Sequence, residues 1–466
     1  MNSMMLMAII NNSDIKSGNS HLYKKKFWNT EIESLSKEEL FEKIEKPLLL
    51  SQLKFVLKNS KFYSKKYRAI GMKTSDLTPQ FNFKELPFTE KIEIQKDQEE
   101  NPPFGSILAV PIHKLRRIHR TSGSSGRPIF VALTQNDIDC ILESGARSFW
   151  CAGLRPNDLI VHCLNYCLWM GGLTDHMCLE HTGATVIPYG VGNTRNLIEI
   201  IKYLHPTGIS CTPSYLSKLE LILRNEFKMT PKDLKLEKGF FGGELGIQNP
   251  DNRKIIEEKW GIEAIDANYG MADVLSIFGS ECEFRKGLHF HGHGILHVEL
   301  IDPNTGKNLE FKKGQIGELV YTNLKREGQP LIRFRSHDLA KIVGVGKCDC
   351  GRNGFRFKIL GRSDNMLIVK GINVFPNAIV DVLSKFLSSL TGEFEIILDT
   401  IPPYDFLKMR IEYRGIKTSE SIESLKKHLQ KTLKELLEFK AEIEMIPEGK
   451  IVRTEGKAKR IKKMYL

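Results

Sequence analysis

Hydrophobic positions change their rhythm along the chain, and each change predicts a different architecture. Over residues 35–57, Leu, Ile and Phe recur at helical spacing among Glu and Lys, which predicts amphipathic helix. Pro79 and Pro102 interrupt the helical texture of the first hundred residues. Beyond Arg120, short apolar runs such as Leu159-Ile160-Val161 and Thr185-Val186-Ile187 alternate with helical patterns over 196–204 and 213–224. That alternation implies a parallel sheet covered by helices. From about residue 296 to 343 the pattern turns hairpin-like, with Asp302-Pro303-Asn304-Thr305-Gly306 as a turn between apolar runs. A further break falls at Gly361-Arg362-Ser363-Asp364-Asn365. After it, 366–375, 393–399 and 407–413 read as strands, interleaved with helices over 377–390 and 420–439.

The fold class expected is therefore multidomain α/β: a large amino-terminal α/β domain, residues 1–363, and a small carboxy-terminal α+β domain, 364–466, with its boundary at Asp364. A length of 466 residues supports two or more folded units. With 41% hydrophobic and 27% charged residues, the composition excludes disordered, collagenous and disulfide-scaffold classes. No apolar stretch reaches the ~20 residues of a membrane helix, and the run from Met4 to Ile10 ends at Asn11-Asn12-Ser13, so a cytoplasmic protein without membrane contact is expected. Nine cysteines without a framework spacing read as reduced thiols. The net charge of +12 is scattered, and it suits an anionic small substrate at least as well as a nucleic acid.

The densest chemical signal is Arg120-Thr121-Ser122-Gly123-Ser124-Ser125-Gly126-Arg127-Pro128. Hydroxyls and glycines packed this closely let N–H and O–H groups converge on phosphate oxygens, with a terminal cation to offset their charge. It lacks the spacing of a Walker loop, and by composition alone an ordinary turn is an equal reading.

This loop resembles the phosphate loop of the adenylate-forming acyl-CoA synthetase superfamily. In the superfamily's order follow Gly192-Asn193-Thr194, Cys211-Thr212-Pro213-Ser214-Tyr215, Phe241-Gly242-Gly243-Glu244, Asn268-Tyr269-Gly270-Met271-Ala272-Asp273, Arg335-Ser336-His337-Asp338-Leu339, Gly361 to Gly371, and Gly456-Lys457-Ala458-Lys459-Arg460. Together they resemble the phenylacetate-CoA ligases, from about Phe62 to the terminus. The resemblance implies ATP-dependent activation of an aryl or arylacetic acid to an acyl-adenylate with release of pyrophosphate, then transfer to coenzyme A. The alternative acceptors are an amine or a carrier-protein thiol. A rival of another class, a basic nucleic-acid-binding protein that has lost catalysis, ranks last. A homodimer is also among the expectations.

Residue by residue, the resemblance assigns ATP to Ser122, Gly123, Ser124, Ser125, Gly126 and Arg127, with Tyr269 stacking on adenine beside Gly243, Glu244, Gly270 and Met271. Asp338 would hold the ribose hydroxyls, as a carboxylate suited to accept from two vicinal donors. Arg362 would hydrogen-bond the ribose or phosphate region, Asp364 would be the hinge of the lid, and Lys370-Gly371 would meet coenzyme A. Lys457 resembles the mobile catalytic lysine, a cation for the charge that builds as a carboxylate attacks the α-phosphorus. Without the resemblance it would read as part of a basic tail, since 447–466 holds seven Lys or Arg against two Glu. Asp273 replaces the family's usual Mg²⁺-binding Glu and is one methylene shorter, leaving open direct coordination, a water-bridged contact or a weakened ATP site.

Tyr166, Trp169, Gly243 and Asn268 map onto the acid pocket. Cys167 and Trp169 are bulkier than the family's residues there, and Asn268 replaces an aliphatic one. A buried amide needs a partner, so the ring is expected to carry a hydroxyl or amino substituent. Cys282, His289, Cys348 and Cys350 supply soft donors, although their spacing alone favours ordinary buried cysteines. Some phenylacetate-CoA ligases look similar there and carry a structural metal, which makes zinc the expectation. His291 and His293 would share one strand face with His289 and are the substitute ligands.

Overall fold

The computed structural model describes residues 25–121, 128–244, 246–402, 404–453 and 460–465. The helical pattern over 35–57 folds as abutting segments, Lys37–Leu40, Phe41–Glu45 and Lys46–Asn59 (α1). Ser36 and Glu39 form a capping box at the start. Leu49, Leu53 and Val56 recur at helical spacing and are buried in the main core.

A hairpin of β1 (Leu115–Arg120) and β2 (Phe130–Thr134) leads into α2 (Gln135–Cys151). The chain then alternates β3 (Leu159–His162), α3 (Met170–His181), β4 (Thr185–Ile187), α4 (Thr194–Leu204), β5 (Gly208–Cys211), α5 (Pro213–Ile222), β6 (Lys238–Gly242), α6 (Pro250–Trp260) and β7 (Glu263–Met271). β4, β3, β5, β6 and the first part of β7 pair in parallel. Successive residues serve opposite faces: Ile160, Phe240 and Ile265 enter one core, and Val161, Phe241 and Ala264 enter another. With both faces covered, these strands have no polar side, which is why their sequences are short continuous apolar runs.

From Tyr269 to its end at Met271, β7 pairs antiparallel with β8 (Leu275–Ser280). There follow β9 (Leu288–Phe290), β10 (Leu296–Ile301), β11 (Asn308–Leu309), β12 (Ile316–Asn323), β13 (Phe334–Val345) and β14 (Phe355–Arg362). All join one sheet of twelve strands in the order β11-β10-β12-β13-β14-β9-β8-β7-β6-β5-β3-β4. The expected hairpin at 302–306 is the β10–β11 connection.

The carboxy-terminal part has a core of its own, formed by residues such as Val374, Ile379, Phe394, Ile396, Leu407 and Leu429. It begins with β15 (Leu367–Val369) and β16 (Ile372–Val374), then α7 (Pro376–Ser384), β17 (Leu390–Leu398), β18 (Leu407–Tyr413), α8 (Ser419–Leu437), β19 (Ala441–Pro447) and β20 (Ile461–Lys463). Its four-stranded sheet runs β19-β18-β17-β20. Two expectations are corrected here. Residues 366–375 form a hairpin rather than one strand, because Lys370 (φ 49°) and Gly371 (φ 82°) both take the left-handed conformation that two-residue hairpin turns require. The helix expected over 377–390 ends at Ser384.

Between the two parts, Asn249 donates to Asp381 at 2.8 Å and Arg224 pairs with Glu448 at 3.1 Å. Among the described residues no helix is long and apolar enough to cross a membrane.

Candidate active site

The sheet brings the expected nucleotide residues together where its parallel half gives way to the antiparallel half. Asn268 is the last residue of β7 paired in parallel, and Tyr269, next to it, lies opposite Gly279 of β8. A Cβ on Gly279 would meet the Tyr269 ring at 3.1 Å, so glycine leaves the ring its place. Phe278 and Phe357 hold that ring edge-on at 5.2 and 5.3 Å between centroids. Its hydroxyl donates to Asp338 at 2.7 Å and lies 3.2 Å from the Tyr321 hydroxyl. Burial and the adjacent Asp338 carboxylate push the Tyr269 phenol well above its ordinary pKa, so it remains a donor.

Asp338 lies directly opposite Arg362 across the β13–β14 ladder, with Arg362 Nη1 at 3.5 Å. Arg362 also grips Asp364 with both ends of its fork, at 2.9 and 2.6 Å. Burial opposes its charge, but Asp364 and Asp338 outweigh that and hold its pKa above the ordinary value. Next door, the Glu90 carboxylate 2.9 Å from His337 raises that imidazole against the opposing effect of burial. Glu244 accepts from the hydroxyl and amide of Ser214, at 3.0 and 3.3 Å, at the start of α5. Gly243 (φ 78°) turns the chain out of β6 beside it, and Gly270 and Met271 are half-buried at the end of β7.

Ser122 to Arg127 lie outside the described residues. Their flanks are closed by paired contacts: the Thr121 amide donates to the Ile129 carbonyl and the Ile129 amide to the Thr121 hydroxyl, both at 3.0 Å. Asp273 is 8% exposed, with Oδ2 3.0 Å from the Lys91 ammonium, while Oδ1 is buried without a hydrogen bond among the described residues. An orphaned, buried carboxylate oxygen is a donor of the hard kind that Mg²⁺ takes. Lys457 also lies outside the described residues. The chain on either side is anchored by ion pairs, Arg453 with Glu412 and Arg460 with Glu393. Lys370 and Gly371 form the tip of the β15–β16 hairpin, and the Lys370 amide donates to the Tyr404 carbonyl at 2.8 Å.

Of the residues expected to meet the acid, Tyr166 and Trp169 are half-buried, and the neighbouring Cys167 is exposed. The Tyr166 hydroxyl lies 2.9 Å from His176 Nδ1, and Glu180 takes His176 Nε2 at 3.0 Å. Asn268 packs against Gly242, where a Cβ would stand 2.5 Å from the asparagine Cβ. Its amide already has a protein partner, since Nδ2 donates to Asp175, a residue only 1% exposed. Of the two ends of the amide expected to meet a substituent on the acid, Nδ2 is thus taken by protein.

Cys282, His289, Cys348 and Cys350 meet as the resemblance implied. Their ligand atoms all lie within 4.8 Å of one another and all four residues are buried. Three thiols and an imidazole so placed have the number and softness of donors for a closed zinc site. Hydrogen bonds from Cys282 and His289 hold the Cys350 thiol well down despite burial. The expectation for His291 and His293 is corrected, because β9 stops at Phe290; His291 lies 3.0 Å from Ser280 and His293 3.6 Å from Glu45. Cys151 joins the same buried cluster, a neighbour the spacing did not indicate.

Lys91, Asp175 and His176 are the residues that sequence reasoning missed. The available signal was an Asp and a His inside the otherwise apolar stretch that starts α3, and a Lys directly after Thr89-Glu90.

Known proteins match this arrangement. Residues 42–323 match the AMP-binding enzyme family and 371–464 the AMP-binding enzyme C-terminal domain. A phenylacetate-coenzyme A ligase of Pseudomonas putida is 34% identical over 411 residues, 87% of this chain and 90% of that protein. A 2-hydroxyisobutyryl-CoA ligase crystallised in the postadenylation state with R3-HIB-AMP superposes with a TM-score of 0.85 at 27% identity, covering 94% of this chain and 92% of that one. The same ligase in its thioesterification state, with 2-HIB-AMP and CoA, gives 0.69 at 27% identity over 94% of this chain and 93% of that one. With a large AMP-binding domain followed by its small carboxy-terminal partner, the chain belongs to the phenylacetate-coenzyme A ligase family of AMP-forming acid–thiol ligases.

Proposed function

We propose that this enzyme uses ATP to convert an aryl or arylacetic carboxylic acid to its acyl-adenylate, releasing pyrophosphate, and then passes the acyl group to coenzyme A. The observation that carries the reading is the buried Asp338 carboxylate, held between Tyr269 and Arg362 at the junction of the two domains. ATP lies with adenine against Tyr269, Gly243, Glu244, Gly270 and Met271, its ribose hydroxyls on Asp338 and its phosphates on the loop Ser122 to Arg127. Binding ribose there requires the Tyr269 hydroxyl to share or release its hydrogen bond to Asp338. The acid sits against Tyr166, Trp169, Gly243 and Asn268.

Lys457 supplies positive charge at the α-phosphate as the acid's carboxylate attacks. Asp273 would hold Mg²⁺ through its unpaired Oδ1, and the ion supplies neutralisation of the phosphate oxygens. For the second half-reaction the lid, residues 364–466, turns about Asp364 and brings Lys370 and Gly371 to coenzyme A. Releasing Asp364 for that turn means breaking its two-pronged contact with Arg362. Cys282, His289, Cys348 and Cys350 would hold a structural zinc, which would tie β9 to the turn before β14. Reduced thiols throughout fit a cytoplasmic setting.

The test is incubation of the full chain with magnesium-ATP, a panel of acids, and coenzyme A, hydroxylamine or a carrier protein as acceptor. Acid-dependent AMP and pyrophosphate with an acyl-CoA product are expected, and loss of ATP–pyrophosphate exchange in Lys457→Ala. Formation of ADP, or no nucleotide cleavage with any acid, rejects the reading. Transfer only to an amine or carrier reassigns the acceptor.

A further inference from the structure

The hydrogen bonds at the acid pocket fix which kind of polar group the acid must bring. Asn268 Nδ2 donates to Asp175, whose other oxygen accepts from the Ser276 hydroxyl at 2.8 Å. Ser276 lies 3.0 Å from the hydroxyl of Thr174, which donates in turn to the Met170 carbonyl. A carboxylate only accepts, so an amide pressed against it must present its NH₂ group; the flipped amide would set two acceptors against each other in a buried site. Asn268 is thus locked in one orientation. Its Oδ1 faces away from Asp175 and has no hydrogen-bond partner among the described residues.

The neighbouring helix residue holds the tyrosine beside it. His176 follows Asp175 on α3, with the Tyr166 hydroxyl 2.9 Å from its Nδ1 and Glu180 3.0 Å from its Nε2. The polar atom left to be satisfied is therefore Asn268 Oδ1, an acceptor.

We infer that the acid carries a hydrogen-bond donor, a hydroxyl or primary amino group on its acyl portion, that donates to Asn268 Oδ1, and that Asn268 is the specificity-determining residue, positioned by Asp175. The inference rests on the reading of this site as an acid-adenylating one. An acceptor-only substituent such as methoxy would place oxygen against oxygen, and an unsubstituted ring would strip water from Oδ1 without replacing it.

The experiment measures kcat/KM for acid-dependent pyrophosphate release by the full chain. The acids are benzoic and phenylacetic acids, unsubstituted and with hydroxyl, amino, methoxy or dimethylamino groups at each ring position. A donor-bearing acid is expected to exceed its methylated counterpart by roughly ten- to a hundredfold. In Asn268→Val that ratio should collapse toward one, a change that general loss of structure would not produce. Asp175→Asn, which lets the amide turn, should narrow the ratio in the same direction. Activity with methylated or unsubstituted acids equal to that with every donor-bearing acid overturns the inference and leaves the adenylation reading intact. No pyrophosphate release with any acid overturns both.

Discussion

Replacing Glu412 by Gln should loosen the base of the segment that carries Lys457 and separate the two half-reactions. Glu412 is fully buried and accepts from Arg453 Nη1 and Nη2 at 3.1 and 2.5 Å, from the Ile451 amide at 2.8 Å and from Thr391 at 2.9 Å. Arg453 stands four residues before Lys457 and is itself 9% exposed on its side chain. Glutamine keeps one acceptor but leaves the guanidinium without its counter-charge. Removing one partner of a buried pair costs about 3–5 kcal/mol, and the retained acceptor puts this case near the lower end. For a domain of this size, ~3 kcal/mol lowers the midpoint of thermal unfolding by roughly 12–24 °C.

Calorimetry of the full chain should show that loss in the transition of the carboxy-terminal domain. Burial alone would raise the Glu412 pKa, but Arg453, the Ile451 amide and Thr391 hold it below the ordinary value. Its stabilisation is therefore present above the ordinary carboxyl pKa and fades as pH falls through the lowered one, and the variant should lose that acid dependence. ATP–pyrophosphate exchange, the half-reaction in which Lys457 is proposed to act, should fall more than thioester formation from supplied acyl-adenylate. Unfolding within ~2 °C of the parent, or equal loss of both reactions, would refute the reasoning.

Two further outcomes are expected. Elemental analysis of purified chain should find about one zinc per chain, falling toward zero in Cys350→Ser with a lower unfolding midpoint, since structural zinc contributes folding free energy directly; metal-free protein of full stability would remove the assignment. His337, raised by Glu90, contributes stability that is complete below its ordinary value of about 6.5 and is lost as pH rises through the higher folded value. In His337→Gln the urea midpoint should lose its decline over that interval, and a parallel decline in both proteins would contradict the attribution.

The elements were legible wherever one residue's neighbours along the chain decide its state. Leu197, Ile198 and Ile201 lie on one face of α4 and are fully buried, as their spacing required. Lys370-Gly371 was misread because a two-residue turn inside an apolar run leaves the period of two almost undisturbed. The site was legible in its parts but not in its contacts. Asp338 and Arg362 are 24 positions apart and meet only because β13 and β14 pair in that register through two irregularities. Asn268 and Asp175 are 93 positions apart, on a strand and a helix, and no local pattern couples them. The four metal-site residues needed the antiparallel pairing of β9 with β14 to bring His289 to the two cysteines that precede β14.

β7 has a consequence for how selectivity in this chain can drift. Asn268, bound to Asp175, and Tyr269, bound to Asp338, are consecutive residues of one strand, so the two proposed recognition centres are spaced by a single step of about 3.8 Å between α-carbons. An inserted or deleted residue there would reverse both side chains at once. If the two centres act as proposed, selection for a new acid is thereby confined to exchanging side chains, while the ruler between them stays the same length.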